Sequence, residues 1–121
     1  MKRPGPNHPI TVERNPNRVR VVLGGFIVAE STRTLTLKEA TLPPVQYMPR
    51  EDVAMDLLDR TTHASHCPYK GDAAHYTVSA GGLVARNAVR SYENPPKAVV
   101  AIAGYLAFDP SKVDAIEELK D

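Results

Sequence analysis

The chain has 121 residues, a hydrophobic fraction of 42% and a charged fraction of 24%, which fit one soluble globular domain with a modest core. Its formal net charge of +1 provides no overall field that would attract nucleic acid or anionic lipid. A single cysteine excludes an internal disulfide, and no apolar run is long enough to cross a bilayer. We therefore expect a cytoplasmic protein that binds neither nucleic acid nor membrane.

The first third of the chain predicts an arm followed by short strands. Residues 1–9 contain three prolines and no apolar run, which indicates an extended arm rather than a signal peptide. A single domain is expected over residues 10–121. Alternating apolar residues or turn signals predict strands at 10–14, 18–23, 26–30 and 34–39, with Gly24-Gly25 as a hairpin turn. We expect these four strands to form a meander.

One helix is predicted, at residues 50–58. Pro49 suits the start of a helix, and Glu51 and Asp52 complement the positive end of its dipole. Four apolar residues have the spacing of one buried helix face: Val53, Ala54, Leu57 and Leu58. Residues 45–48, before this helix, are expected to be extended.

The second half of the chain predicts a loop and further strands. The loop covers residues 62–73, and strands are expected at 74–79 and 83–92 on either side of a glycine turn. Residues 98–103 fit either helical turns or a buried strand, 105–108 fit a strand, and 113–119 fit a strand or a helix. The whole pattern predicts a mainly β fold of short antiparallel strands with one short helix.

Reactive side chains are concentrated at residues 62–76, which hold the only cysteine and three of the four histidines. Zinc needs three or four converging ligands of these types. Adjacent residues such as His66 and Cys67 rarely both reach one ion, and the chain has no Cys-x-x-Cys pair. We therefore expect no metal and no cofactor.

Two functional hypotheses follow from this window. In the first, a small polar or anionic ligand binds at residues 65–76, with Lys70 in a turn supplying charge and His66 titrating near neutral pH. In the second, Cys67 is the nucleophile of a thiol enzyme, with His66 or His63 taking its proton. A third alternative is an interaction module without a ligand, dimeric through an exposed strand edge.

Three stretches carry a resemblance to a known family. They are Gln46-Tyr47-Met48-Pro49-Arg50-Glu51-Asp52-Val53, then Ser65-x-Cys67-Pro68-Tyr69-Lys70-Gly71-Asp72-Ala73-x-x-Tyr76, then Tyr92-x-x-Pro95. With these motifs the chain resembles the bacterial domain of unknown function 427 family, from residue 10 to about residue 116, including Glu39 and the stretch 102–108.

The resemblance implies a small β-tent-like fold, similar to that of methionine sulfoxide reductase B and translationally controlled tumour protein. Several such proteins bind zinc through two Cys-x-x-Cys pairs, which this chain lacks. Some family members are labelled nucleotidyltransferase-like, but the chain has no paired aspartates behind a Gly-Ser turn to hold magnesium. The resemblance also implies a tryptophan at the position of Arg90, so that a charge replaces an aromatic wall here.

The predicted ligand site combines the motif residues with the reactive window. Five positions match the family pattern as a pocket: Tyr47, Cys67, Lys70, Tyr76 and Tyr92. The full set of predicted ligand-binding residues is Tyr47, Ser65, His66, Cys67, Tyr69, Lys70, Tyr76 and Tyr92. The hypothesis requires Tyr47 and Tyr92, which are distant in sequence, to lie beside Lys70.

Overall fold

A computed structural model describes residues 2–120 as ten β-strands and three 3₁₀ turns, with the strands in three antiparallel sheets. The strands are β1 (Ile10–Arg14), β2 (Arg18–Leu23), β3 (Phe26–Ser31), β4 (Leu35–Glu39), β5 (Val45–Tyr47), β6 (Leu58–Cys67), β7 (Gly71–Ala80), β8 (Leu83–Tyr92), β9 (Ala107–Phe108) and β10 (Ala115–Leu119). The predicted mainly β fold is confirmed, while the β-tent likeness stays a prediction. None of the helical segments between residues 2 and 120 has the length and apolar character needed to span a bilayer.

The hairpin of β2 and β3 forms as predicted. Val19 and Val21 are fully buried, whereas Arg18 and Arg20 on the other face are only half-buried. Gly24 and Gly25 both have positive φ, as a two-residue hairpin turn requires. Strand β10 pairs with the free side of β2, so the sheet order is β10–β2–β3.

The predicted meander is wrong, because β1 pairs with β4 rather than with β2. Ile10 lies opposite Glu39, and β5 joins the other side of β4. The backbone N–H of Asn15 donates to the Thr34 carbonyl oxygen at 2.8 Å, at the end of the β1–β4 pair. The Asn15 side chain then accepts a hydrogen bond from the backbone of Asn17 at 2.9 Å, which turns the chain out of this sheet and into β2.

The third sheet has the order β6–β7–β8–β9. Strand β8 has the predicted bounds, and the hairpin turn before it contains Gly81 and Gly82, both at positive φ. Strand β6 continues to Cys67, so the loop predicted at residues 62–73 is wrong. Because β6 is an edge strand that is exposed over most of its length, it has no apolar alternation from which a strand could be recognised.

The helix predicted at residues 50–58 is also wrong. Two 3₁₀ turns, Arg50–Asp52 and Met55–Leu57, are separated by Val53, whose backbone is extended. Val53 forms a bridge with Ala29, and the N–H of Ala54 donates to the Val28 carbonyl oxygen at 2.9 Å. Sheet-like hydrogen bonds to β3 thus replace the helical bonds that this segment would have made.

The C-terminal third contains a 3₁₀ turn at Lys97–Ile102, which is one of the alternatives predicted there. The strand predicted at 105–108 is reduced to β9, and the ambiguous segment 113–119 forms β10. Two apolar clusters make the core. The first lies around the buried faces of β2, β3 and β7, and the second is formed by Leu37, Tyr47, Ala73, Tyr92, Val99, Ile102 and Ala107.

Candidate functional site

The second core cluster is bordered by a buried ion pair. Lys70, in the turn between β6 and β7, donates from Nζ to Oε1 of Glu39, the last residue of β4, at 2.7 Å. Only 8% of each of these two side chains is exposed. His8 Nε2 lies 2.7 Å from the other carboxylate oxygen, Oε2, so that both oxygens of Glu39 are engaged.

Hydrogen bonding in this network outweighs burial. Burial by itself raises the pKa of Glu39, but the hydrogen bonds from Lys70 and His8 lower it below its ordinary value of 4.5. Burial lowers the pKa of Lys70, but the bond to Glu39 and the nearby phenols raise it above 10.5. Glu39 is therefore a carboxylate and Lys70 an ammonium at neutral pH.

Lys70 lies beside the two tyrosines that the ligand hypothesis requires near it. Its Nζ is 5.5 Å from the centre of the Tyr92 ring, and the rings of Tyr47 and Tyr92 are 6.5 Å apart at an interplanar angle of 48°. Both tyrosines belong to the second core cluster, and Tyr47 is fully buried. Both tyrosines are therefore buried next to Lys70, and they do not form exposed walls of a ligand pocket.

Arg90 completes this group from the middle of the third sheet. Its guanidinium is half-buried beside the phenols of Tyr47 and Tyr92. Burial lowers the pKa of Arg90, but its interactions with the two phenols raise it. Among residues 2–120, no carboxylate forms an ion pair with Arg90.

The hydroxyl of Tyr47 is buried beside the Arg90 guanidinium and forms no well-aligned hydrogen bond within the described part of the chain. Burial raises its pKa, whereas the charge of Arg90 lowers it. A buried polar group that lacks a partner is uncommon in folded proteins, because its desolvation is not offset. The Arg90 guanidinium beside it is the group that offsets part of this cost for the Tyr47 phenol.

A cleft of about 510 Å³ opens above Lys70 and Arg90. We call it the Arg90 cleft. Its polar lining residues are Glu39, Gln46, Lys70, Arg90 and Asp109. Its apolar lining residues are Leu37, Leu42, Pro43, Pro44, Val45, Phe108, Pro110 and Ile116. A small apolar body with one anionic group matches this lining, since ligand sites combine apolar walls with a few placed polar groups.

Three of the other predicted site residues lie away from this cleft. Tyr76 packs in the first core cluster, and its hydroxyl accepts a hydrogen bond from Arg50 Nη1 at 3.3 Å. Ser65 Oγ lies 2.8 Å from Nε2 of His75. His66 is exposed, with Nδ1 2.7 Å from Oδ1 of Asp72.

Tyr69 lies in the turn that carries Lys70, and Cys67 is the last residue of the strand before it. The Tyr69 ring stacks on His8, with the ring centres 3.8 Å apart and an interplanar angle of 7°. Cys67 is half-buried and packs against the second core cluster. His66 and Cys67 are consecutive residues of β6, so their side chains point to opposite faces of the sheet. Proton transfer between them stays a prediction, which this alternation of side chains does not favour.

His63, the other base considered for Cys67, has its ring against His75, with centres 4.5 Å apart at an angle of 62°. Within residues 2–120, no group of three or more histidine, cysteine, aspartate or glutamate side chains is arranged to hold a metal ion.

The residue types and their spacing alone did not indicate Arg90, Asp109 or His8 as site residues. Glu39 was indicated only by the family resemblance. A signal was available for Arg90, because an arginine among the apolar residues of a long strand is unusual on a buried face. His8 gave no such signal, since only the folded arm brings it to Glu39.

The protein is thus a small, mainly β domain in which a half-buried arginine lines a partly apolar cleft. The chain matches the family described as Domain of unknown function (DUF427) over residues 11–119. It belongs to this family, as the sequence motifs predicted. No curated protein matches the chain.

Proposed function

We propose that this domain binds a small carboxylate ligand with an apolar body in the Arg90 cleft. The observation that carries the proposal is the half-buried Arg90 guanidinium, which has no carboxylate within ion-pairing distance among residues 2–120. A desolvated guanidinium gains a charge-assisted, two-pronged hydrogen bond when a carboxylate reaches it. The apolar lining of the cleft would bury the body of such a ligand.

Lys70 has a supporting role in this proposal. Its charge is already balanced by Glu39 at 2.7 Å, so it adds less attraction for an anion than Arg90 does. Glu39 in turn is shared with His8. Arg90 has no carboxylate within ion-pairing distance among residues 2–120, and the charge of Asp109, which also lines the cleft, acts on it at longer range. The ligand is therefore expected to contact Arg90 directly and Lys70 only at its edge.

The test uses benzoate and its neutral isostere, benzamide, as probes for the purified domain. Backbone amide resonances are followed by NMR while each compound is added. Benzoate is expected to shift resonances of residues that line the Arg90 cleft, with an affinity at least tenfold above that of benzamide, because only the anion can pair with the guanidinium. Equal affinity for the two compounds would contradict the proposal.

Matched variants identify the responsible cation. Arg90→Gln is expected to lower benzoate affinity at least tenfold, and Arg90→Lys, which keeps the charge but loses the planar fork, to lower it less. Arg86→Gln is the control, because Arg86 lies on the same strand but is exposed. The amide spectrum of each variant reports whether it folds. Unchanged benzoate binding in a folded Arg90→Gln variant would overturn the proposal.

A further inference from the structure

A second cleft, of about 310 Å³, lies against Arg90 as well. We call it the histidine cleft. The polar residues that line it are His63, His75, Asn87, Arg90, Asp109 and Lys112. They come from β6, β7 and β8 and from the turn that follows β9. Arg90 and Asp109 also line the Arg90 cleft, so the two clefts adjoin at these two residues.

The histidine cleft concentrates basic side chains. Four of its lining residues are basic, and Asp109 is the one carboxylate among the lining residues. Asp109 Oδ1 accepts hydrogen bonds from the backbone N–H of Ser111 at 2.9 Å and from its hydroxyl at 2.7 Å, and these bonds hold its pKa below the ordinary value of 3.8. The local charge is therefore positive in a chain whose net charge is only +1.

We propose that the histidine cleft binds a doubly charged tetrahedral oxyanion, such as a phosphate group, at a position distinct from that of the carboxylate ligand, with Arg90 bordering both positions. Two cations, Arg90 and Lys112, and two imidazoles border one small concave volume. Phosphate oxygens accept hydrogen bonds from all of these groups. Lys112 is exposed and donates one bond to the Arg86 carbonyl oxygen at 3.4 Å, which leaves its other protons available.

His75 can gain a proton at this site without losing its hydrogen bond. Its Nε2 lies 2.8 Å from Ser65 Oγ, and a hydroxyl can donate to a neutral ring or accept from a protonated one. Burial, followed by the charges of His63, Arg90 and Lys112, lowers the pKa of His75 below 6.5. The charged groups that face His75 from the neighbouring elements are mostly basic. A bound dianion would offset their charge and so raise the pKa of His75 again.

The experiment measures the titration of His75 by NMR of its ring protons, in inorganic phosphate and in sodium chloride of equal ionic strength. Phosphate is expected to move the midpoint of the His75 curve upward by about half a pH unit or more, because a nearby anion favours the charged ring. The control is His66, which is exposed and bonded to Asp72, and its curves should coincide in the two buffers. An unmoved His75 midpoint, or an equal displacement of the His66 curve, would overturn the proposal.

Lysine variants test which charges hold the anion. Lys112→Gln is expected to lower phosphate affinity at least threefold, since it removes one cation of the site, whereas the exposed Lys97→Gln, on the 3₁₀ turn Lys97–Ile102, should change nothing. Phosphate binding that is insensitive to Lys112→Gln would count against the site.

Benzoate binding should be the same in Lys112→Gln as in the unaltered chain, because Lys112 does not line the Arg90 cleft. Loss of benzoate binding in this variant would show that the two clefts act as one site and would overturn the separation proposed here. Phosphate binding without any benzoate binding would refute the carboxylate site alone, and benzoate binding without phosphate binding would refute the oxyanion site alone.

Discussion

Glu39 and Lys70 form the ion pair with the least exposed side chains described above, and each depends on the other. A buried charge that loses its partner keeps the desolvation cost without the compensating attraction. Lys70→Met should therefore lower the free energy of unfolding by about 3 kcal/mol or more, which urea denaturation measures. Because Glu39 also keeps its contact with His8, the loss should be smaller than for a wholly isolated carboxylate.

The exposed pair between Arg60 and Glu93 provides the control. Its nitrogen and oxygen atoms are 3.1 Å apart, but 58% of the Arg60 side chain is exposed. Arg60→Met should change the free energy of unfolding by less than about 1 kcal/mol. A similar, small effect of both substitutions would mean that the Glu39–Lys70 pair does not stabilise the fold.

The pH dependence of stability follows from the same pair. The folded-state pKa of Glu39 is lowered, so its contribution is present above its ordinary pKa of 4.5 and is lost as the pH falls through the lower folded value. The folded-state pKa of Lys70 is raised, so its contribution is present below 10.5 and is lost as the pH rises through the higher folded value.

Urea denaturation of the unaltered chain and of Glu39→Gln between pH 2 and pH 7 tests the acid side. The variant should be less stable at pH 7, and the difference between the two proteins should shrink as the pH falls below 4.5. A difference that is constant over this range would contradict the assignment of a lowered pKa to Glu39.

Tyr47 and Tyr76 differ in the state of their hydroxyl groups. The Tyr47 hydroxyl is buried and forms no well-aligned hydrogen bond among the described residues, whereas that of Tyr76 accepts a bond from Arg50. Removing an unsatisfied buried hydroxyl costs little or stabilises, while removing a bonded one costs about 1 kcal/mol. Tyr47→Phe should thus be neutral or stabilising and Tyr76→Phe destabilising in thermal or urea unfolding. The opposite order would show that the Tyr47 hydroxyl has a stabilising partner.

At the scale of elements, the two hairpin turns meet each other. Gly24, in the β2–β3 turn, and Gly81, in the β7–β8 turn, approach so closely that a Cβ atom on either would overlap backbone of the other turn. Both have positive φ, as does Gly82, whose missing Cβ faces open space. The β10–β2–β3 sheet and the β6–β7–β8–β9 sheet are thus joined through backbone contact that only glycine permits.

Alanine substitutions separate the close approach from the backbone conformation. Gly82→Ala should destabilise by about 1 kcal/mol, the cost of a left-handed conformation for an L-residue. Gly81→Ala should cost at least about 2 kcal/mol more, because the two turns must also move apart. Equal losses in the free energy of unfolding would mean that the contact between the turns is not maintained in solution.

Elements with local signals could be predicted from the sequence. The Gly24-Gly25 and Gly81-Gly82 turns each specify a hairpin of adjacent strands. The pairing of β1 with β4 could not be predicted, because it depends on where Asn15 leaves the sheet. The apolar residues at 53–58 have the spacing of a helical face. Val53 is instead buried where it forms a bridge with β3, and Leu58 is buried as the first residue of β6.

The site was predictable only in part. The motif residues Tyr47, Lys70 and Tyr92 do lie together. They come from β5, the β6–β7 turn and β8, and only the family pattern indicated that these three segments share a site. Ser65, His66 and Cys67 are neighbours in sequence, but a strand sends alternate side chains to opposite faces. Grouping them into one pocket assumed a loop where β6 continues.

At the scale of the whole molecule, the N-terminal arm closes over the turn that carries Lys70. The N–H of Lys2 donates to the Pro68 carbonyl oxygen at 2.9 Å, and the N–H of Ala40 donates to the Pro9 carbonyl oxygen at 2.8 Å. Between these points His8 contacts both Glu39 and Tyr69. The arm thus ties the end of β4 to the β6–β7 turn, two parts of the chain that belong to different sheets.

His8→Ala tests this connection. The substitution removes a hydrogen bond to a buried carboxylate and a stacked ring pair, so we expect it to lower the free energy of unfolding by about 1 to 3 kcal/mol. Arg3→Ala, at an exposed arm position, should change it by less than about 0.5 kcal/mol. Amide hydrogen exchange should also become faster at Tyr69 and Lys70 in the His8 variant, since their turn loses its cover. If exchange at these residues is unchanged while stability falls, the arm stabilises β4 alone and does not connect the two sheets.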